Sequence, residues 1–288
     1  MFFFLENDCA VKSFKHFYFI FASKLNKSSL ETIIKKSNLT ALIHSKGAEL
    51  ISLKRNEREY IWEGNPEFWG KHSPVLFPIV GTLKKNEFHY SEKKYNLSRH
   101  GFARDMDFTV KQQSESSVTF SLEASPDTLK NYPFIFELQI IYILENDRLT
   151  IQYKVFNKDN KEMFFSIGAH PAFALPGNFT DYSLSFENDT TLEYFLLEND
   201  LISDRIEIID LEENQLSLNY KLFERDALIF KQIRSRSITI NQNSKPLLKV
   251  NFNDFPNLGI WTKVKAPFIC IEPWFGYSDT NKNSGNIS

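Results

Sequence analysis

The chain has 288 residues, with 34 Lys and Arg set against 36 Asp and Glu and a formal net charge of -2, which leaves no basic footprint for nucleic acid. A hydrophobic fraction of 42% with 24% charged residues is that of a globular protein and excludes a chain dominated by disorder. Aromatics reach 15%, including 28 Phe, and such residues favour half-buried pleated surfaces.

The first thirty residues differ from the rest, with Met-Phe-Phe-Phe-Leu at the start, then Lys12, Lys15 and the short run Phe17-Tyr-Phe-Ile-Phe-Ala22. The run is too short, and its cleavage context too poor, for a secretory leader. Residues 1–29 are read as an N-terminal extension, either disordered or the product of a start placed too far upstream. No apolar stretch approaches the ~20 residues of a membrane-spanning helix. Of two cysteines, Cys9 and Cys270, the second sits in an apolar run and reads as a buried thiol, so no disulfide framework is expected. A soluble protein of the cytoplasm, with no membrane partner, is the expectation.

From Leu30 onward strand signals accumulate. Strands are predicted over 32–35, 39–44 and 48–54, and residues 118–123 alternate, with Val118, Phe120 and Leu122 on one face. Residues 134–144 and 149–155 read as a hairpin around Glu145-Asn-Asp-Arg148. Later strands are placed at 182–186, 206–209, 227–230, 237–240, 247–252 and 268–271. Helical periodicity is weak except for a turn or two over 125–131. The pattern predicts an all-β fold, a large antiparallel sandwich or barrel over 30–280 as a single domain, followed by a loose polar tail over 281–288.

Three residues stand out chemically. Glu272 is a carboxylate in the apolar sequence Ile271-Glu-Pro-Trp-Phe-Gly276, and an ionised carboxylate is costly to bury without partners. Pro273 holds it in extended backbone at the end of its predicted strand, while Trp274 and Gly276 suit a sugar cleft, an aromatic face covering apolar sugar faces. A structural carboxylate paired with an Arg is the other reading. His170, between Gly168 and Pro171, and His100, flanked by Arg99, Arg104 and Asp105, are residues able to move a proton near neutrality or to serve as hydrogen-bonded structural groups. Two His and one carboxylate also make a metal set, but no two of them are close in sequence and no HxH or HExxH pattern occurs, so no metal is expected. Phosphate loops, nucleotide fingerprints and a GxSxG elbow are absent from the sequence, and no cofactor is expected.

Seven blocks in order then resemble the aldose 1-epimerase (galactose mutarotase) family, in its LacX-like branch. They are Gly47-Ala-Glu-Leu-Ile-Ser-Leu, Tyr60-Ile-Trp-Glu-Gly, Ser73-Pro-Val-Leu-Phe-Pro-Ile-Val-Gly81, His100-Gly-Phe-Ala-Arg-Asp, Tyr132-Pro-Phe-Ile-Phe-Glu-Leu, Ser166-Ile-Gly-Ala-His-Pro-Ala-Phe and Ile271-Glu-Pro-Trp-Phe-Gly. The resemblance implies a supersandwich with an open sugar cleft and cofactor-free interconversion of the α and β anomers of a free hexose. It implies Glu272 as base, His170 as acid, His100 assisting at the ring oxygen and Asp226 holding sugar hydroxyls, with Arg104 and Trp274 also in the sugar site. Where many relatives carry an Arg after the Gly of the Phe-Pro-x-x-Gly block, this chain has Thr82, with Lys84 or Lys85 as possible substitutes. A sugar-binding protein without turnover is the alternative that Thr82 raises. A hexose-phosphate epimerase needs a cationic pocket, and Lys and Arg are dispersed along the sequence. Hydrolysis normally needs two carboxylates, and Glu272 alone has the context for it.

Overall fold

A computed structural model describes residues 31–286 and the backbone of Phe3–Phe4, which pairs antiparallel with Phe164–Phe165. The rest of the N-terminal extension lies outside the described residues. The architecture is all-β and antiparallel, an eight-stranded sheet packed with three four-stranded sheets. Across the large sheet the strands run Leu201–Asp210, Thr191–Glu198, Leu228–Phe230, Asn257–Trp261, Phe268–Phe275, Ile167–Ala169 and Val75–Leu76, and Ala172–Ala174 adds to Phe268–Phe275. The smaller sheets comprise Glu31–Lys36 to Arg58–Glu59, Thr109–Gln113 with Ser117–Glu123, Phe136–Leu144 and Leu149–Asn157, and a set centred on Tyr182–Phe186 and Ser237–Gln242.

Alternation decides which faces meet. Val118, Phe120 and Leu122 are buried as predicted, and Leu144 pairs with Leu149 across the four-residue loop that Arg148 and Glu145 close with an ion pair of 2.9 Å. These side chains join Ile34, Ala41 and Ile43, then Leu184, Ile238 and Ile240, in one core with one face of the large sheet, that of Leu228, Phe230, Leu258, Ile260, Ile269 and Ile271. Burying one such side chain is worth ~1.5–3 kcal/mol. The turn or two of helix expected over 125–131 is the α-helix Pro126–Asn131, with Ser125 and Thr128 forming a capping box and proline in the first turn.

Three expectations are corrected. The strand predicted to stop at Ile271 runs through Phe275, so Glu272 sits inside a strand, paired with Gly259, and Pro273 lies opposite Leu258. A longer hairpin, Thr191–Glu198 with Leu201–Asp210, replaces the single strand read over 206–209. Its turn residues Asn199 and Asp200 both have positive φ, a geometry that suits a tight hairpin turn. Where the sequence suggests a loose tail, residues 281–286 are bonded to residues 84–89: Lys84 donates to the Asn281 carbonyl at 2.6 Å and the His89 N–H to the Gly285 carbonyl at 2.8 Å. No helix among the described residues is long and apolar enough to cross a membrane.

The opposite face of the large sheet is lined differently. Residues paired across an antiparallel ladder share a face. Phe195, Ile229, Gly259 and Glu272 therefore form one row, and Asn257, Trp274, Gly168 and Leu76 the next. Trp274 lies flat across two glycines. A Cβ at Gly259 would come within 2.5 Å of its Cζ2, and one at Gly168 within 2.7 Å of its Cδ1.

Two outcomes follow from this packing. Gly259→Ala forces the indole off the sheet, an overpacking cost of ~1–3 kcal/mol; urea unfolding should show the loss together with an altered near-ultraviolet tryptophan signal, and wild-type stability would refute the contact. Glu137, on the strand Phe136–Leu144, is held down to about 2 from 4.5, first by the Gln139 amide and then by Lys111, Ser121 and Lys158, against the upward push of burial. A depressed carboxylate stabilises the fold above its unfolded value and loses that contribution as pH falls through its folded one. The stability gap between wild type and Glu137→Gln should therefore be full at pH 7 and close between about pH 4.5 and pH 2; a gap independent of pH would contradict this.

Candidate functional site

Two short strands pair with the same partner on either side of His170. Gly168 lies opposite Trp274 and Ala172 opposite Cys270, and the register between them leaves His170 facing Glu272. Proline follows each residue. Pro171 and Pro273 bring no N–H to the ladder, so the pairing opens there; the Pro171 carbonyl still accepts from the Ile271 N–H at 3.3 Å. The result sets His170 Nε2 3.2 Å from Glu272 Oε2, with the residues 8% and 2% exposed.

His100 arrives from another segment. It and Gly101 have φ of 67° and 71°, in a turn where a Cβ on residue 101 would strike the Phe77 carbonyl oxygen at 2.2 Å, which explains the glycine. The His100 N–H donates to the Gly81 carbonyl at 2.7 Å and the Gly81 N–H donates to His100 Nδ1 at 3.0 Å. This reciprocal pair fixes the ring and, because Nδ1 accepts, places the proton of the neutral ring on Nε2. Arg99 Nε also lies 3.3 Å from Nε2, the longer of the two contacts and not a donor–acceptor pair in that tautomer. The His100 and His170 rings meet edge to face with centroids 5.7 Å apart.

Aromatic rings surround the histidine. Trp69 stacks on His170 at 4.8 Å, and Trp261 meets it edge-on at 6.0 Å. Trp274, read from sequence as a cover for the sugar, is only 4% exposed and instead forms the floor beneath Glu272 with Leu76, Val80, Ile202, Ala227 and Ile229. Trp69 and Trp261 are the half-buried rings at the rim.

The electrostatics follow from dryness. Burial pushes the Glu272 carboxyl well above the usual carboxylate range; Arg99 opposes this, Asp226 adds to it, and the Trp274 indole N–H, near the carboxylate without meeting full hydrogen-bond geometry, opposes it slightly. Burial drives His170 down to about 3, helped by the charges of Arg99 and Arg104. His100 is lowered for the same reason, with His170, Arg99 and Arg104 as further causes. Burial raises the Cys270 thiol, as does Glu272 beside it.

Among the remaining candidates, Asp226 is within electrostatic reach of Glu272, in a left-handed backbone with φ of 79° where its carboxylate accepts from the Ala227 N–H at 2.8 Å. Arg104 donates to the Arg99 carbonyl at 2.8 Å and lies 3.6 Å from Asp105, so it buttresses the turn carrying His100. Thr82 follows the Gly81 that holds His100; its N–H donates to Ser278 Oγ at 2.9 Å and its buried hydroxyl has no hydrogen-bond partner among the described residues. Lys84 is engaged by backbone carbonyls of the tail. His170, Cys270 and Glu272 place three donor atoms within 4.8 Å of one another. His170 Nε2 and Glu272 Oε2 already stand 3.2 Å apart, near the roughly 3.5 Å edge of a tetrahedral zinc site, and the widest separation of the trio exceeds that edge by about 1 Å. A depression lined by Tyr194, Leu196, Asn219 and Lys221 also has Asp226 and Ala227 in its wall, so it reaches both the Asp226 candidate and a residue of the floor beneath Glu272.

The chain matches the family model described as aldose 1-epimerase over residues 30–286. It is 36% identical over 271 residues to the plasmid-encoded protein LacX of Lactococcus lactis subsp. lactis, covering 88% of this chain and 90% of that one. Among solved structures it is similar to a galactose mutarotase related enzyme from Lactobacillus acidophilus, with a TM-score of 0.83, 34% identity and 89% of each chain covered. A galactose mutarotase-like protein from Lactobacillus casei gives a TM-score of 0.79 at 33% identity, covering 88% and 93%. The chain, an antiparallel β-sandwich of the galactose mutarotase type, belongs to the aldose 1-epimerase family.

Proposed function

We propose that this protein is a mutarotase of the LacX-like branch, which opens a hexopyranose at its anomeric carbon and recloses it on the other face, with Glu272 and His170 as the proton-transfer pair and His100 as a hydrogen-bond donor. The observation that carries the reading is the 3.2 Å approach of His170 to Glu272 in a dry site. The anomeric hydroxyl and the ring oxygen share one carbon, so the base for one and the acid for the other must be neighbours.

Burial penalises charge on both groups, so the resting pair holds a single proton and no net charge, carboxyl beside neutral imidazole. Passing that proton to His170 makes a carboxylate beside an imidazolium. Glu272 then removes the proton of the anomeric hydroxyl, His170 protonates the ring oxygen, the bond from C1 to the ring oxygen breaks and C1 becomes an aldehyde carbon. The pair is back in its resting form. Rotation about C1–C2 and the reverse transfers close the ring as the other anomer. His100 stays neutral and offers its Nε2–H to the ring oxygen. Positioned acid–base catalysis is worth ~10²–10⁴ in rate, and orientation adds to it.

Polarimetry of freshly dissolved α-D-glucose and α-D-galactose should show accelerated mutarotation that falls at least ~10²-fold in Glu272→Gln. A folded Glu272→Gln protein with wild-type turnover would sink the assignment. The pH dependence of kcat/KM should pass through a maximum. As pH falls through the lowered His170 value the pair gains a second proton and the base is lost; as pH rises through the raised Glu272 value the last proton leaves and the acid is lost. The acid limb should therefore lie below 6.5, the ordinary histidine value, and a limb centred at 6.5 would argue that His170 is not held in the dry pair.

A further inference from the structure

Lys231 is a cation that the mechanism above does not use. It follows Ile229 by two positions, so it leaves the large sheet on the face that carries Glu272, in line with Asn257 and Trp274, and the Asn257 amide donates to its carbonyl at 2.6 Å. Its half-buried ammonium lies 4.1 Å from the centre of the Phe195 ring and 5.1 Å from that of Tyr277. Both rings pack on the cluster that forms the floor of the site.

The other cations around this face are engaged. Arg99 pairs with Asp200 at 3.1 Å, Arg225 with Glu207 at 2.6 Å, and Lys84 with backbone carbonyls. Among the described residues no carboxylate lies within ion-pair distance of Lys231; Asp204, whose charge it feels, is itself paired with Lys282 at 2.6 Å. Aromatic faces orient an ammonium without accepting its N–H groups as a carboxylate would, so its donors stay available for an anion. Counting across the ladder, Lys231 is two strands over and two residues along from Glu272, a backbone separation of ~12 Å. With both side chains projecting over the sheet, that span suits a hexopyranose whose anomeric carbon is at Glu272 and whose far end carries a charge.

We infer that Lys231, seated on Phe195 and Tyr277, forms an anion subsite, and that the substrate is an aldose bearing a phosphate or carboxylate remote from the anomeric carbon. The inference rests on the mutarotation reading for where C1 sits. It also explains why the cations are uninformative along the sequence, since strand pairing alone brings Lys231 to the face of Glu272.

The test measures anomer exchange and calorimetric binding with glucose, glucose 6-phosphate and glucuronate, on the wild type and on Lys231→Met and Lys231→Gln. In the wild type at least one anionic sugar should show a KM and Kd about tenfold or more below those of glucose, and both variants should remove most of that preference, through KM more than kcat. The phosphate and carboxylate arms identify which anion is read. Equal affinity for glucose and both anionic sugars in the wild type, or a preference that survives in both variants, would overturn the subsite. Turnover without anion preference would leave mutarotation standing and remove the subsite. Anion-selective binding that depends on Lys231, without turnover of any sugar, would support the subsite and remove the catalytic reading.

Discussion

One register governs the site: the pairing of Phe268–Phe275 with two short strands separated by His170 and Pro171. Because Gly168 faces Trp274 and Ala172 faces Cys270, His170 has nowhere to be except opposite Glu272. A one-residue slip of Phe268–Phe275 would turn Glu272 to the other face, into the core that holds Ile269, Ile271 and Leu258, and leave His170 without it. The two prolines release the ladder at this point without breaking the strand, giving the side chains room to meet at 3.2 Å.

Dryness converts that geometry into chemistry. In water a carboxylate and an imidazole titrate separately; under the Trp69 ring and over the Trp274 floor burial penalises charge on each, raising the one and lowering the other. In the proposed mechanism such a pair exchanges protons with a sugar hydroxyl and ring oxygen, with none taken up or released overall. His100 contributes through a different constraint, two backbone bonds to Gly81 that set its tautomer, and Arg104 supports the turn that carries it. The charges of Arg99, Arg104 and Asp226 bear on the pair from the edges of the site.

The outlines of several elements were readable locally. The hairpin of residues 134–155, the capped turn at Pro126 and the alternation of Val118, Phe120 and Leu122 obey short-range rules, and they appear as such. Glu272 stood out because a carboxylate in an apolar run is expensive, and His170 and His100 because of their loop contexts. The strand through Pro273 was cut short by a rule that holds for ladders in general and fails where the ladder is already open. Trp69, Trp261 and Lys231 carried no local signal of their place in the site, since they reach it from separate segments. Gly259 did carry one: an isolated glycine in Asn257-Leu-Gly-Ile-Trp261 is the mark of close approach, here by the Trp274 indole.

By itself the sequence determined the class of fold and the identity of the acid and base candidates, because alternation, turn chemistry and the cost of a buried charge act over a few residues. Tertiary structure alone decided that His170 faces Glu272, that Trp274 is buried in the floor, that Thr82 lies beside the holder of His100, and that Lys231 shares the face of Glu272. Those facts depend on which strands pair and in what register, and register is set by the summed burial of the whole sheet, a quantity no single segment contains.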